Sequence, residues 1–251
     1  MLDLIATFDL GWLDWLLLIV CAMLVAMAKT GVAGVYNVVV PLMALVFGGK
    51  ASTGVLLPIL LMGDVFAVSY YNRSAQWRHI IRLIPPALGG VLLGTWVGDY
   101  VSEETFQVLL ALVVLLGIGL MVYLELRKVK TVPSHWSFSA GMGLLAGFTT
   151  MVGNVAGPIV AVYMLSMRLP KNEFIGTTAW FFLLVNVLKL PFHLFVWDTI
   201  SAASLALDAL MLPGIALGAW LGIRIVKVIS ETFYRRFVII ATVASALLLV
   251  I

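Results

Sequence analysis

Charged side chains are rare in this chain, and the few set within or beside its apolar runs are the ones able to do chemistry. Lys29, Asp64, Lys189, His193 and Asp208 are such residues. Ionisable groups in hydrocarbon are costly and by default mark ion paths, proton relays or substrate contacts. Asp64, in "LMGDVFAV", is the deepest and is the candidate for proton coupling; its plainer role is to pair with Lys29 or Lys189. Lys189 stands three residues after Asn186 in "NVLKLPF", so the two share a helix face. A cation there attracts an anion, and dry surroundings strengthen the attraction. Pro191 is expected to disturb the helix and free nearby carbonyls. For Lys189, His193 and Asp208 the competing role is snorkelling near a span end, and for Asp208 that role is preferred. Arg73 and Lys29 are further candidates for the charge contact, although both also fit simple membrane orientation.

Two stretches interrupt the hydrocarbon around these charges. "KTGVAGVYN" (29–37) and "TTMVGN" (149–154) are rich in glycine, threonine and asparagine. Irregular backbone at membrane depth is tolerated only where protein or a water-filled cavity satisfies it. A half-helix beginning near Asn154 directs free N–H groups and a positive dipole end at such a cavity, which favours an anion. Asn37 does the same from the opposite direction. Gly31, Gly34, Gly153 and Gly157 let backbone approach a ligand, and Thr30, Thr149 and Thr150 complete the candidate set. Pro41 and Pro158 fall in the first turn of each half-helix, where a missing N–H matters little.

Positioning these breaks requires a membrane. The 251 residues are 63% hydrophobic and 11% charged, against about 25% charged in soluble domains. Ten apolar segments are expected, at 11–28, 38–48, 51–71, 82–100, 105–124, 136–148, 155–167, 174–194, 203–226 and 236–251. Without strict alternation they read as helices, and the second, sixth and seventh are too short to span alone. The acidic start, with Asp3, Asp9 and Asp14, does not read as a signal peptide. Cys21 is the sole cysteine, so no internal disulfide or cysteine zinc cluster forms. No cofactor or metal is implied. The net charge of +3 does not suggest nucleic acid; the basic residues cluster in short loops, as orientation in a bilayer requires. Tryptophans 12, 15, 77, 136 and 197 read as interfacial belts.

The halves repeat. "NVVVP" (37–41) matches "NVAGP" (154–158), Gly54 precedes Asp64 as Gly176 precedes Asn186, "GTWVG" (94–98) matches "GAWLG" (218–222), and "ETF" recurs at 104–106 and 231–233. Basic loops at 72–82, 125–130, 168–171 and 224–236 are expected in the cytoplasm, and those at 99–104 and 197–201 outside. Equivalent loops of the two halves thus carry opposite bias. The expected fold is an all-α polytopic membrane protein. Residues 1–131 and 132–251 form two inverted five-segment repeats, within one membrane domain, whose short helices meet near the midplane. Paired broken helices in inverted repeats are the mark of secondary transporters.

"GDVFAVSYYNRSAQW", "LIPPALGGVLLG", "GFTTMVGNVAGPIVAVYMLSMRLPKNEFIGTTAWFF" and "NVLKLPF" together resemble the TauE/SafE sulfite exporter family, also called the toluene-sulfonate uptake permeases. Many members carry a glycine-rich run before the first-half proline, where this chain has "GVYNVVVP". The resemblance implies multi-pass transport in the bacterial inner membrane, of sulfite or organosulfonates such as sulfoacetate. The interior-negative potential favours anion exit, so export is the preferred direction. The competing readings are an intramembrane enzyme and a transporter for an unrelated small organic anion. No G-x-S-x-G, H-E-x-x-H or clustered His/Asp/Cys set supports the enzyme. A homo-oligomer remains compatible with the sequence.

Overall fold

In hydrocarbon an apolar run must satisfy its own N–H and C=O groups, and helix does so. The computed structural model of the chain describes residues 8–32, 35–102, 104–106, 108, 112, 135–234, 236, 237 and 240, with Asn37 described only in its backbone. Its main helices are α1 (Trp12–Lys29), α2 (Val39–Phe47), α3 (Gly49–Tyr71), α4 (Trp77–Tyr100), α5 (Trp136–Gly153), α6 (Gly157–Ser166), α7 (Lys171–Phe195), α8 (Ala202–Leu210) and α9 (Leu212–Val228). No strand occurs among the described residues. By length and composition α1, α3, α4 and α7 can each cross a membrane; α8 and α9, bent by 50° at Met211, are together long and apolar enough for a broken span or a re-entrant loop. The expected segment at 105–124, the loop at 125–130 and most of 236–251 lie outside the described residues.

Three boundaries differ from the sequence expectation. Helix α5 runs through 149–153, where irregular backbone was expected, and stops only at Asn154, which is left-handed at φ 57°. The reason is local: Thr149 Oγ1 donates to the Leu145 carbonyl at 2.8 Å, so this threonine satisfies its hydroxyl within a helix. Helix α4 starts at Trp77, taking Arg78 and Arg82 into its first turns. The segment expected at 203–226 divides, because Pro213 has no N–H for the preceding turn and sits instead in the first turn of α9. Pro191, by contrast, lies inside an unbroken α7.

Glycine decides which helices touch. A methyl group on Gly218 would stand 2.1 Å from the Met23 carbonyl oxygen, and one on Gly222 would stand 3.0 Å from that of Met27. Helices α1 and α9 therefore lie parallel with backbones in contact. On the other side, a methyl group on Gly147 would stand 1.9 Å from the Ala87 carbonyl oxygen and one on Gly90 2.0 Å from that of Leu144, so α5 packs parallel to α4 with backbones in contact. Small residues four apart permit such close packing where lipid is as apolar as the side chains. Both contacts cross the halves: the first helix of each packs on the fourth segment of the other.

Charge separates the two ends of this bundle. At one end Lys227 Nζ lies over the Tyr70 ring, and Lys171 Nζ donates to the Val226 and Ile229 carbonyls. Gln76 N–H there donates to Thr177 Oγ1, drawing the turn that carries Arg73 against α7. At the other end Lys50 approaches Asp99 at 4.0 Å, and Trp197 Nε1 donates to the Thr95 carbonyl. Trp197 is 6% exposed, so it is a packing residue and not part of an interfacial belt; Trp12 and Trp136, 75% and 74% exposed, fit the belt. Under the positive-inside bias the first end is expected in the cytoplasm. In a Cys21→Ala background, Asn72→Cys should therefore resist an impermeant thiol reagent added outside, while Ser102→Cys reacts. Equal labelling would remove this orientation.

Candidate functional site

Six polar side chains, Lys29, Asp64, Thr150, Asn154, Asn186 and Lys189, meet where α1, α3, α7 and the C-terminal end of α5 converge. Lys29, at the last turn of α1, forms an ion pair with Asp64 of α3 at 2.8 Å. Asn186 of α7 donates through Nδ2 to the other Asp64 oxygen at 2.7 Å. One turn on, Lys189 Nζ donates to Thr150 Oγ1 at 3.3 Å and to Asn154 Oδ1, and reaches Asn186 Oδ1 at 3.5 Å. Asn154 Nδ2 closes the network on the Thr53 carbonyl at 3.1 Å. Asp64 and Lys189 are fully buried. A buried charge needs both a partner and satisfied hydrogen-bonding groups, and this network supplies them.

The network carries two lysines against one aspartate. Asp64 balances Lys29, whereas Lys189 is held only by neutral oxygens. With all three groups ionised the cluster carries one positive charge in excess.

A cavity of about 100 Å³ opens beside it, enough for several waters or one small solute. Lys29, Thr150, Asn154 and Asn186 line its polar end. Phe174, Thr178, Phe182 and Asn186, four residues apart on α7, form one wall, so the cavity follows that helix for about 18 Å toward the basic end. Beyond Lys189 on the same helix, His193 Nδ1 bonds Thr199 Oγ1 at 2.8 Å and Trp197 packs on the His193 ring.

The donors that face this space suit an anion. The Lys29 ammonium has three protons, one directed at Asp64, and it lies 4.2 Å above the Phe182 ring. Thr150 Oγ1 accepts from Lys189, which leaves its own proton to donate. Gly157 lines the cavity at the N-terminus of α6, where no side chain caps the helix. Its N–H and the dipole add further positive potential. The amides of Asn154 and Asn186 are turned elsewhere, toward the Thr53 carbonyl and Asp64.

Of the residues expected from sequence, Lys29, Gly31, Thr150, Asn154, Gly157 and Asn186 line the cavity, with Lys189 and Asp64 directly behind them. Thr30 does not: its hydroxyl donates to the Ala26 carbonyl and packs against Gly222. Thr149 is turned to its own helix. Gly153 is buried in the last turn of α5 without lining the cavity, and Arg73 sits on the exposed turn Asn72–Ser74. Gly34 and the Asn37 side chain lie outside the described residues. Gly31 faces Ile175 and Val226, and Asn154 is anchored to the Thr53 carbonyl; both line the cavity. The aromatic wall of α7 was missed, although its four-residue spacing from Asn186 was present in the sequence. His193 and Asp208 do not snorkel; both are fully buried.

Lys189 acts here through Asn154, Asn186 and Thr150 and is not itself a lining residue, so it is a positioning residue. Lys189→Ala should weaken sulfonate binding by at least about tenfold, roughly 1.4 kcal/mol, and Lys189→Arg should retain part of it. Binding of a labelled sulfonate to purified, folded protein is the measurement. Wild-type affinity in Lys189→Ala would show that its charge plays no part.

This is a polytopic membrane protein built around a small, buried, cationic cavity between broken helices. The chain belongs to the sulfite exporter TauE/SafE family, whose model matches residues 5–249. That family comprises membrane exporters of sulfite and related sulfur anions. No curated protein matches the chain, and no solved structure does.

Proposed function

We propose that the chain is a secondary transporter that exports a small sulfur-containing anion, sulfite or an organosulfonate such as sulfoacetate, through the bacterial cytoplasmic membrane. The carrying observation is the Lys29–Asp64–Lys189 network, two lysines to one aspartate, beside the cavity. An unbalanced buried charge favours a ligand of opposite sign. Lys29, Thr150 and the Gly157 N–H contact the anion, and Lys189 adds charge from behind. A singly charged anion makes the site neutral.

The same geometry supports alternating access. The cavity extends toward the basic end, and the His193–Thr199 and Trp197 contacts lie beyond Lys189 on α7. The complementary state opens those contacts and closes the Phe174 end. Repeat partners Asp64 and Asn186 are bonded to each other across α3 and α7, which supports two inverted halves rocking about this contact. An interior-negative potential drives anion exit by about 2.3 kcal/mol per charge per 100 mV.

Proteoliposomes loaded with labelled sulfite or sulfoacetate should release label faster than protein-free vesicles, and faster still with an interior-negative potential. Retention of both labels would overturn the reading. Equal competition by small carboxylates would widen the substrate class to organic anions in general.

A further inference from the structure

Asp208 stands apart from the site just described. It is fully buried on α8, yet neither carboxylate oxygen has a hydrogen-bond or ion-pair partner. Its own helix ends two residues later, where α8 and α9 meet at 50°, and the Met211 N–H donates to the Asp208 carbonyl. Leu207 and Met211 on either side belong to a wholly apolar cluster with Cys21, Val55 and Leu56. Other charged groups on the neighbouring elements are already engaged. On α3, Lys50 is at Asp99 and Trp197, and Asp64 is at Lys29 and Asn186. On α9, Arg224 and Lys227 lie over Trp220 and Tyr70. On α1, Asp14 bonds the Gly11 N–H and Lys29 holds Asp64, which leaves the Cys21 thiol as the one titratable group of α1 in this apolar cluster.

We propose that Asp208 is a proton-binding site that couples anion movement to a proton gradient. An isolated carboxylate cannot rest in an apolar site, but the neutral acid can. Opening the seam beside the α8–α9 bend admits water, and the group then ionises. The charge state of Asp208 thus reports which conformation the protein is in, and a broken helix is the element such a change can bend. Asp64, tied to Lys29, has the different task of holding that lysine in place.

The proposal rests on the transport reading above for its flux test but not for its spectroscopic one. Infrared difference spectra of purified wild type and Asp208→Asn, taken at neutral pH, should show the carbonyl band of an un-ionised carboxylic acid in the wild type alone. No such difference would overturn the proposal. For flux, sulfoacetate serves as probe in vesicles clamped at zero potential. With one proton per anion, a gradient of one pH unit sustains about a tenfold concentration ratio. Wild type should build such a ratio in either direction, while Asp208→Asn builds none yet still exchanges labelled for unlabelled sulfoacetate. A variant that builds the wild-type ratio would overturn the proposal, as would a wild type that exchanges without building one. If neither form exchanges sulfoacetate or sulfite, the transport reading fails, and the infrared band alone decides for or against Asp208.

Discussion

Gly157→Leu should abolish anion flux while leaving the protein folded. Gly157 lines the cavity, and a β-carbon placed on it meets nothing within 4 Å. The position is helical and not left-handed, so leucine adopts its backbone without strain. Replacing glycine in a helix is favourable by up to about 1 kcal/mol, which offsets the loss of water from the cavity. Four added carbons then occupy a space of about 100 Å³ and cover the N-terminal amide. Flux should fall by at least about a hundredfold, roughly 2.8 kcal/mol of binding lost, with thermal stability and yield near wild type. Gly157→Ala should retain intermediate flux. Gly147→Leu is the contrasting case, because its β-carbon would stand 1.9 Å from the Ala87 carbonyl oxygen and part α4 from α5. That variant should lose folded yield. Normal flux in folded Gly157→Leu would place the anion path elsewhere.

The second large effect concerns the Lys29–Asp64 pair. Removing one member of a buried ion pair strands the other and typically costs about 3–5 kcal/mol. Lys29→Met leaves Asp64 fully buried with only Asn186 to hold it, so stability should fall by about that amount and anion binding should vanish. Asp64→Asn behaves differently. Lys29 borders the cavity and is 10% exposed, so water or the substrate can replace the lost carboxylate. The amide oxygen can still accept from Asn186. This variant should fold, bind a sulfonate at least about tenfold more tightly, and release it more slowly. The double variant should regain stability without regaining binding. Chemical unfolding alongside equilibrium binding separates these outcomes; equal stability losses in both single variants would deny the cavity its role as Lys29's second partner.

Much of this site could be read from residue types alone, for reasons that also mark where such reading stops. Glycine, asparagine and proline at 153–158 identified the break because they lack either helix propensity or an N–H. The extent of α5 was misread because Thr149 can bond its own helix, and which partner a hydroxyl selects is settled by packing. Lys189 and Asn186 three residues apart pointed to a polar face, but not to Lys189 standing behind Asn154 instead of in the cavity. Asp208 looked like a residue that could reach an interface. Its flanking residues Leu207 and Met211 pack in a cluster with residues far away in sequence, and no local pattern carries that information. Pro191 and Pro213 have the same chemistry, yet only Pro213 coincides with a break between helices, while Pro191 lies inside α7.

The crossed glycine contacts also bear on how the molecule is made. Helix α1 is synthesised almost 200 residues before its close partner α9. At about 5–20 residues per second the wait is roughly 10–40 s. During that interval α1 has its glycine-facing backbone against lipid, and Lys29 has only Asp64 to neutralise it. Helix α4 waits less, since α5 is its partner. Assembly therefore closes like a clasp, with the last segments fastening the first. A ribosome that stops before α9 leaves behind a chain whose first helix has no seat, a ready signal for membrane quality control. Neither half can mature alone, and a gene split between them should yield function only when both fragments are made together.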